Sequence, residues 1–349
     1  MKNFVRYLFL FSILFSACTS LQLLSPSEAP TDQVKDAFYY NQRLGRGINL
    51  GNALEAPYEG AWEITLQAQF FSEIAAAGFD SVRIPIRWSA YAAKEPPYQL
   101  ADRITERVDW AIDQAFENNL VVVINIHHYN EIATDPAGQR ARFLAIWQQL
   151  AERYRDRPDT LYFEILNEPH DNLSGSAWQS LWLEVFAIIR ELNPTRPVIV
   201  GPHQWNNIGQ LATLDIPDNA QNLIITYHYY NPFQFTHQGA SWVAGSNAWL
   251  GTEWTGSDAQ VKAVQRDFTR AAEWAETKNM PLFMGEFGAY QRGDMESRVR
   301  WTTVVREEAE ARGFSWAYWE FGAGFGAYDR VNQKWNEPLI RALIPEGVK

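Results

Sequence analysis

From about Asp36 onward the chain repeats one alternation: a short run of β-branched and aromatic residues, then a longer stretch with apolar residues three and four positions apart. That alternation constrains the fold more than any other feature, because it is the mark of βα units arranged around a parallel sheet. The strand runs are GRGINLGN (45–52), SVRIPI (81–86), VVVINIHH (121–128), LYFEILNE (161–168), PVIVGPHQW (197–205), LIITYHYYN (223–231), PLFMGEFG (281–288) and FSWAYWEFG (314–322). Helices are predicted over 64–78, 104–119, 139–156, 176–192, 258–278 and 294–312. Eight strands in this length match a (β/α)8 barrel of about 250 residues plus insertions. The rival, an open doubly wound sheet, calls for a Gly-rich phosphate loop after its first strand. GRGINLG lacks the GxGxxG spacing.

The N-terminus is organised differently. Lys2 and Arg6 precede the apolar stretch YLFLFSILFSAC, which is too short to span a bilayer with the usual margin and reads as an export signal over residues 1–17. Cys18, the only cysteine, follows Ser16 and Ala17 as in a bacterial lipoprotein signal, so lipidation at Cys18 is expected, although Phe15 stands where such signals usually carry Leu. A tether over 18–35 and one catalytic domain over 36–349 complete the expected organisation. The expected location is the periplasm or the cell surface, or outside the cell if Cys18 is not lipidated. With no further cysteine, disulfides and Cys-based metal sites are excluded from the mature domain. The formal net charge is −11, and −13 without Lys2 and Arg6, which disfavours nucleic acid as a partner.

In each strand run the polar residues gather at the C-terminal end: Asn52, Arg83, His127 with His128, Asn167 with Glu168, His203, His228 with Tyr230, Glu286, and Trp319 with Glu320. In a barrel these ends converge on one mouth, where such folds place their chemistry. His127 and His128, adjacent on a strand, are expected to point to opposite faces and so not to share a metal ion, and no HExxH is present. The chemistry favoured instead is a pair of glutamates acting on a glycosidic bond, one as acid and base, the other as nucleophile or water activator. Glu168 and Glu286 are the candidates; Glu320 is a third, expected to face the other way. Glu164 has the parity of Glu168 but lies deeper, and is assigned no role. Asn167-Glu168-Pro169 by itself is equally compatible with a turn leaving a strand.

Taken together, GINLGN, VRIPI, INIHHY, ILNEP, ITYHYYNPFQFTHQ, MGEFG and WAYWEFG resemble family 5 of the glycoside hydrolases, the cellulase family, in order and across essentially the whole chain after the leader. The resemblance implies Glu168 as general acid/base and Glu286 as nucleophile, supported by Arg83, His127, Asn167, His228, Tyr230 and Trp319. It also implies retention of anomeric configuration, carboxyl groups about 5 to 5.5 Å apart, and no metal or organic cofactor. The Glu286 charge is expected to raise the pKa of Glu168.

Aromatic residues make up 14% of the chain, with 15 Trp, more than a core requires. The long segment 231–256, with Trp242, Trp249 and Trp254, is expected to form a cleft wall, and Trp62, Trp88, Tyr129 and Trp205 are further candidate sugar platforms. NPFQFTHQ is most like β-glucan-cleaving members, so a monomeric endo-β-1,4-glucanase acting on a β-glucan polysaccharide or oligosaccharide is expected, with membrane contact only through the lipid. The alternatives are a β-mannanase, a xyloglucanase or an exo-acting β-glucosidase and, from another class, a barrel that only binds glycans.

Overall fold

The computed structural model describes Met1, residues 35–345 and Gly347. Apart from Met1, the leader over 1–17, Cys18 and the tether up to residue 34 lie outside the described residues. Residues from Lys35 onward form one compact unit.

Eight parallel strands close into a barrel in sequence order: β1 Arg46–Asn49, β2 Ser81–Ile84, β3 Val121–Asn125, β4 Leu161–Glu164, β5 Val198–Val200, β6 Leu223–Tyr229, β7 Leu282–Phe287 and β8 Ser315–Tyr318. Pairing of β1 with both β2 and β8 makes the closure, so the fold is a (β/α)8 barrel. The outer helices include Ala68–Ala77, Asp102–Glu117, Pro136–Arg153, Gly175–Leu192, Asp258–Lys278, Met295–Glu310 and Glu337–Leu343. Their local signals are readable. Ile104, Val108, Ala111, Ile112 and Ala115 bury one stripe of Asp102–Glu117, and Asp135 caps the next helix through the Gly138 amide with Pro136 at its start. Between β5 and β6 a 3-10 turn, Ile208–Thr213, replaces the usual long helix.

Alternation along the strands sorts side chains into two layers. Val122 and Ile124 of β3, Leu161 and Phe163 of β4, and Ile225 and Tyr227 of β6 pack outward against the helices. Val121, Val123, Tyr162, Ile199, Ile224, Phe283 and Ala317 fill the lower barrel interior. Tyr40 and Leu44 of the helix Ala37–Leu44 join this inner cluster, and Tyr162 donates its hydroxyl to the Tyr40 carbonyl at 2.9 Å. Two serines share this layer with their hydroxyls satisfied, Ser81 donating to the Leu44 carbonyl and Ser315 to Asn41 Oδ1, and the Arg83 cluster lies above it.

The expected strands overrun the observed ones by one residue at the N-terminal end in four cases, and by one to five residues at the C-terminal end in all. There the backbone leaves the ladder: Asn52, His128 and Glu168 adopt left-handed φ values of 64°, 52° and 48°. His127 and His128 therefore lie beyond β3, and strand alternation does not govern them. Their rings touch edge to face, with centroids 4.5 Å apart.

Candidate active site

Arg83 organises the mouth. It is fully buried on β2, and each of its five N–H donors is used. Nε and Nη2 hold Glu164 at 2.5 and 3.0 Å; Nη1 reaches Asn49 Oδ1 and Glu286 Oε1, both at 2.8 Å; Nη2 also donates to Asn167 Oδ1 at 2.7 Å. Glu164 thus has a defined place, as the buried counter-ion that fixes the guanidinium. Asn49 Nδ2 in turn donates to the carbonyls of Gly285, Ala317 and Tyr318, tying β1 to β7 and β8.

Glu286 reaches the mouth through an irregularity. Simple alternation from the inward Phe283 would send it outward, but the ladder with β8 slips between Met284 and Phe287, and that with β6 slips at Tyr227 and His228. His228 consequently lies in register with Glu286. Such slips re-aim side chains near functional sites. Glu286 is 5% exposed, and the Tyr230 hydroxyl donates to its Oε2 at 2.9 Å. Burial pushes its pKa up, while His228, Arg83 and the Tyr230 hydrogen bond pull it back.

Glu168 lies just past β4 and keeps 27% of its side-chain surface open. Its Oε1 is 2.7 Å from His228 Nδ1. Removal from water pushes its pKa up to about 7, with the Glu164 charge adding to the rise and Arg83 and His170 opposing it. The expected cause, the charge of Glu286, is not the source of the shift. Burial also lowers His228 to about 4 and His127 well below the usual range, so both imidazoles are neutral near pH 7.

One oxygen from each of Glu168 and Glu286, together with His228 Nδ1, lies within 4.8 Å of the others. Nδ1 is already committed to Glu168. The arrangement can therefore protonate a group on one side while presenting a fixed carboxylate a few ångströms away.

The remaining supporting residues gather here too. His127, 2% exposed, accepts from Asn125 Nδ2 at 3.2 Å and stacks on Trp319 with centroids 5.8 Å apart and planes 11° apart. Gly51 lets that indole lie against the backbone, since a Cβ there would stand 3.0 Å from the ring. Asn167, with Oδ1 held by Arg83, has Nδ2 left to donate. Glu320 is turned away as expected: it is buried and accepts from the amides of Gly322, Ala323 and Phe325.

The platform candidates divide. Trp62, Trp205 and Trp242 are exposed and Trp249 half-buried. Trp62 stands edge-on to His128, Trp205 stacks on His170, and Trp242 stands edge-on to Tyr290 near His237 and Phe325, which adjoin Tyr230. Trp88, Trp254 and Tyr129 are not platforms. Trp88 is fully buried and donates to the Asn125 carbonyl, Trp254 is packed in the core, and the Tyr129 ring is covered while its hydroxyl bonds Gln139. An aromatic just past a strand end can turn toward the helices as readily as toward the mouth, as Trp88 and Tyr129 do, and Trp254, at the far end of the 231–256 segment, packs back against the barrel. A pocket of about 200 Å³ beside Glu168 runs between His128, Asn130, His170 and Trp205. Sequence reasoning also missed Asn49, Asn125 and Asn206; the first two share the inward parity of the site residues, which was the available signal.

A model of the cellulase family, glycosyl hydrolase family 5, matches residues 47–324. Endoglucanase H of Acetivibrio thermocellus is 35% identical over 329 residues, covering 92% of this chain and 35% of its own, so the chain spans about a third of that relative. Endoglucanase C of the same organism is 28% identical over 338 residues, covering 85% of this chain and 97% of its own. Among solved structures, Cel5A of Thermotoga maritima is 50% identical, with a TM-score of 0.87, covering 88% of this chain and 100% of that one. It has been solved with cellobiose and with mannotriose.

Proposed function

This chain belongs to glycosyl hydrolase family 5, and from that premise we propose that it cuts internal β-1,4-glucosidic bonds of cellulose or mixed-linkage glucan with retention of configuration. The carrying observation is the close carboxylate pair: one oxygen of Glu168 and one of Glu286 lie within 4.8 Å of each other, both beside His228 Nδ1 at 2.7 and 3.6 Å, which supports the short carboxyl separation of a retaining enzyme. The endo mode on glucan is supported by relatives named endoglucanase and by the cellobiose complex of the Thermotoga protein.

In the first step Glu286 attacks the anomeric carbon while Glu168 gives its proton to the leaving oxygen. Arg83 and Tyr230 keep Glu286 ionised and aimed; burial keeps Glu168 protonated toward neutrality. In the second step Glu168, now ionised, takes a proton from the water that releases the sugar. Asn167 Nδ2 donates to the sugar 2-hydroxyl, a bond that strengthens in an oxocarbenium-like transition state, and Trp319 floors the subsite where the charge develops.

A second reading has an observation of its own. The Thermotoga relative was also solved with mannotriose, so the same cleft is proposed to accept β-mannan as a lesser substrate. A hydrolysis panel of carboxymethylcellulose, barley glucan, lichenan, xyloglucan and mannan separates the cases. Falling viscosity with mixed oligosaccharide products on the glucans is expected; cleavage of mannan alone, or release of terminal glucose alone, would overturn the glucanase reading. We further propose that the chain is exported and lipidated at Cys18, and that it acts as a monomer from the periplasm or the cell surface.

A further inference from the structure

The Glu168–His228 pair has a third member on the far side of the imidazole. Asn206 is completely buried just beyond β5, and its Nδ2 lies 3.3 Å from His228 Nε2, opposite the nitrogen that faces Glu168. We propose that Asn206 is a positioning residue that holds His228 as the Nδ1–H tautomer, so that an N–H and not a lone pair faces the Glu168 carboxyl. The inference rests on the acid/base role proposed for Glu168.

The backbone is shaped to deliver this contact. Gln204, Trp205 and Asn206 are consecutive non-glycine residues in the left-handed region, at φ 57°, 59° and 50°. Such backbone is costly and persists where the surroundings enforce it. An isolated parallel bridge pairs Asn207 with His228, and the Trp205 amide donates to the Pro169 carbonyl, anchoring the turn to β6 and to the Glu168 segment. Gly201 makes room, because a Cβ there would come within 2.3 Å of Asn206 Oδ1.

An imidazole's tautomer is set by the bond its other nitrogen makes. With Asn206 Nδ2 toward the imidazole and Oδ1 buried without a partner among the described residues, Nδ2 donates, Nε2 accepts, and the single proton of neutral His228 is assigned to Nδ1. Glu168 Oε1 then accepts from Nδ1–H in either state of the carboxyl, and the acid's proton is held on Oε2, available to the leaving oxygen. With the opposite tautomer the Glu168 proton would be donated into the bare Nδ1, away from substrate. The other charged or titratable groups facing the pair are Arg83, His127, Glu164, His170, Tyr230 and Glu286; Asn206→Gly adds no charge beside them, whereas Asn206→Asp adds a carboxyl, so the kinetic split must appear in both variants.

The test combines 15N spectra of histidine-labelled protein with leaving-group kinetics. The His228 signal is assigned by its loss in His228→Gln. In the unsubstituted protein at pH 7, Nδ1 should be protonated and Nε2 bare. Asn206→Asp keeps the size and the left-handed preference but offers only acceptors, so Nε2 should become protonated. kcat on glucan should fall by about tenfold or more with KM within about twofold, because the lost function is general acid catalysis. On a dinitrophenyl cellobioside, whose leaving group needs no proton, kcat should fall less than about threefold. Asn206→Gly, also compatible with the backbone, should show the same kinetic split, and carries the test alone if the Asp variant does not fold. A protonated Nε2 in the unsubstituted protein, or equal losses on both substrates, overturns the role of Asn206. The spectra hold whatever the substrate, so absence of glycan hydrolysis would count against the proposed function and not against the tautomer.

Discussion

Arg83 serves two carboxylates at once, Glu164 by a double contact and Glu286 by a single one, and the asymmetry sets the chemistry of the mouth. Glu286 is held by the cation and the Tyr230 hydroxyl; among the described residues, Glu168 is hydrogen-bonded to a neutral imidazole. Two carboxyls so treated separate in acidity, and separated acidities define acid and nucleophile. Because the Glu168 pKa is raised to about 7, its acid form persists at pH values where an ordinary carboxyl is ionised. kcat/KM should therefore fall as pH rises through about 7, while the acid limb reports protonation of Glu286. A pH–rate profile in which Glu168→Gln abolishes the alkaline limb on an activated aryl cellobioside checks this; a limb that survives would assign it to another group. Both glutamates stand out in the sequence because each falls toward the C-terminal end of a strand run beside polar partners, and the structure brings the two together. Glu164 had the right parity but no visible partner, since its ion pair spans β2 and β4 and depends on barrel closure. Trp88 and Tyr129 escape a sequence reading for the same reason, since sequence locates a strand end but not the rotamer that fills the core, and Trp254 because a loop aromatic that packs back on the barrel looks like one that lines a cleft.

At the scale of elements, all eight strands could be read from β-branched runs ending in polar residues, and what could not be read was where each ladder stops. Pairing stops at Asn49, Asn125 and Glu164, and left-handed residues at Asn52, His128 and Glu168 turn the chain three to four residues further on, with no change in composition to mark either. The slips along β6 and β7, which bring Glu286 inward, were equally hidden, because alternation is the only rule a strand sequence displays. The segment 231–256 allows a paired prediction. Trp242, 59% exposed, stands on the line of aromatics leading from Tyr230, so Trp242→Ala should raise KM for glucan severalfold with unfolding unchanged. Trp254 is packed in the core, and Trp254→Ala should cost about 3 to 5 kcal/mol in denaturant unfolding. A KM effect confined to Trp254→Ala would reverse the assignment of the wall.

For the molecule as a whole, the inner barrel is stratified: an apolar lower layer closed by Tyr40 and Leu44, then the layer of Arg83, Glu164 and Asn49, then the two glutamates. Burying an ion pair is tolerable when every donor is satisfied, as the five bonds of Arg83 are. Tyr40 touches only the bottom layer, so Tyr40→Ala should lower stability by about 3 kcal/mol and leave KM and the pH profile intact. A shift in the profile would mean that the layers are coupled. The proposed anchoring predicts that Cys18→Ala moves the protein from the membrane fraction to the soluble exported fraction, with specific activity unchanged; an unaltered distribution would remove the lipid from the account.

The central claim is that Glu286 forms a covalent bond to the sugar while Glu168 handles the proton. A dinitrophenyl 2-deoxy-2-fluoro-cellobioside tests it most directly, because the fluorine slows both steps and the leaving group restores the first, so the intermediate accumulates. Mass spectrometry of the protein and its peptides should find one fluorocellobiosyl group per chain, carried on Glu286. A label on Glu168 or Glu320, or turnover of the reagent with inverted product and no labelled protein, would contradict the mechanism.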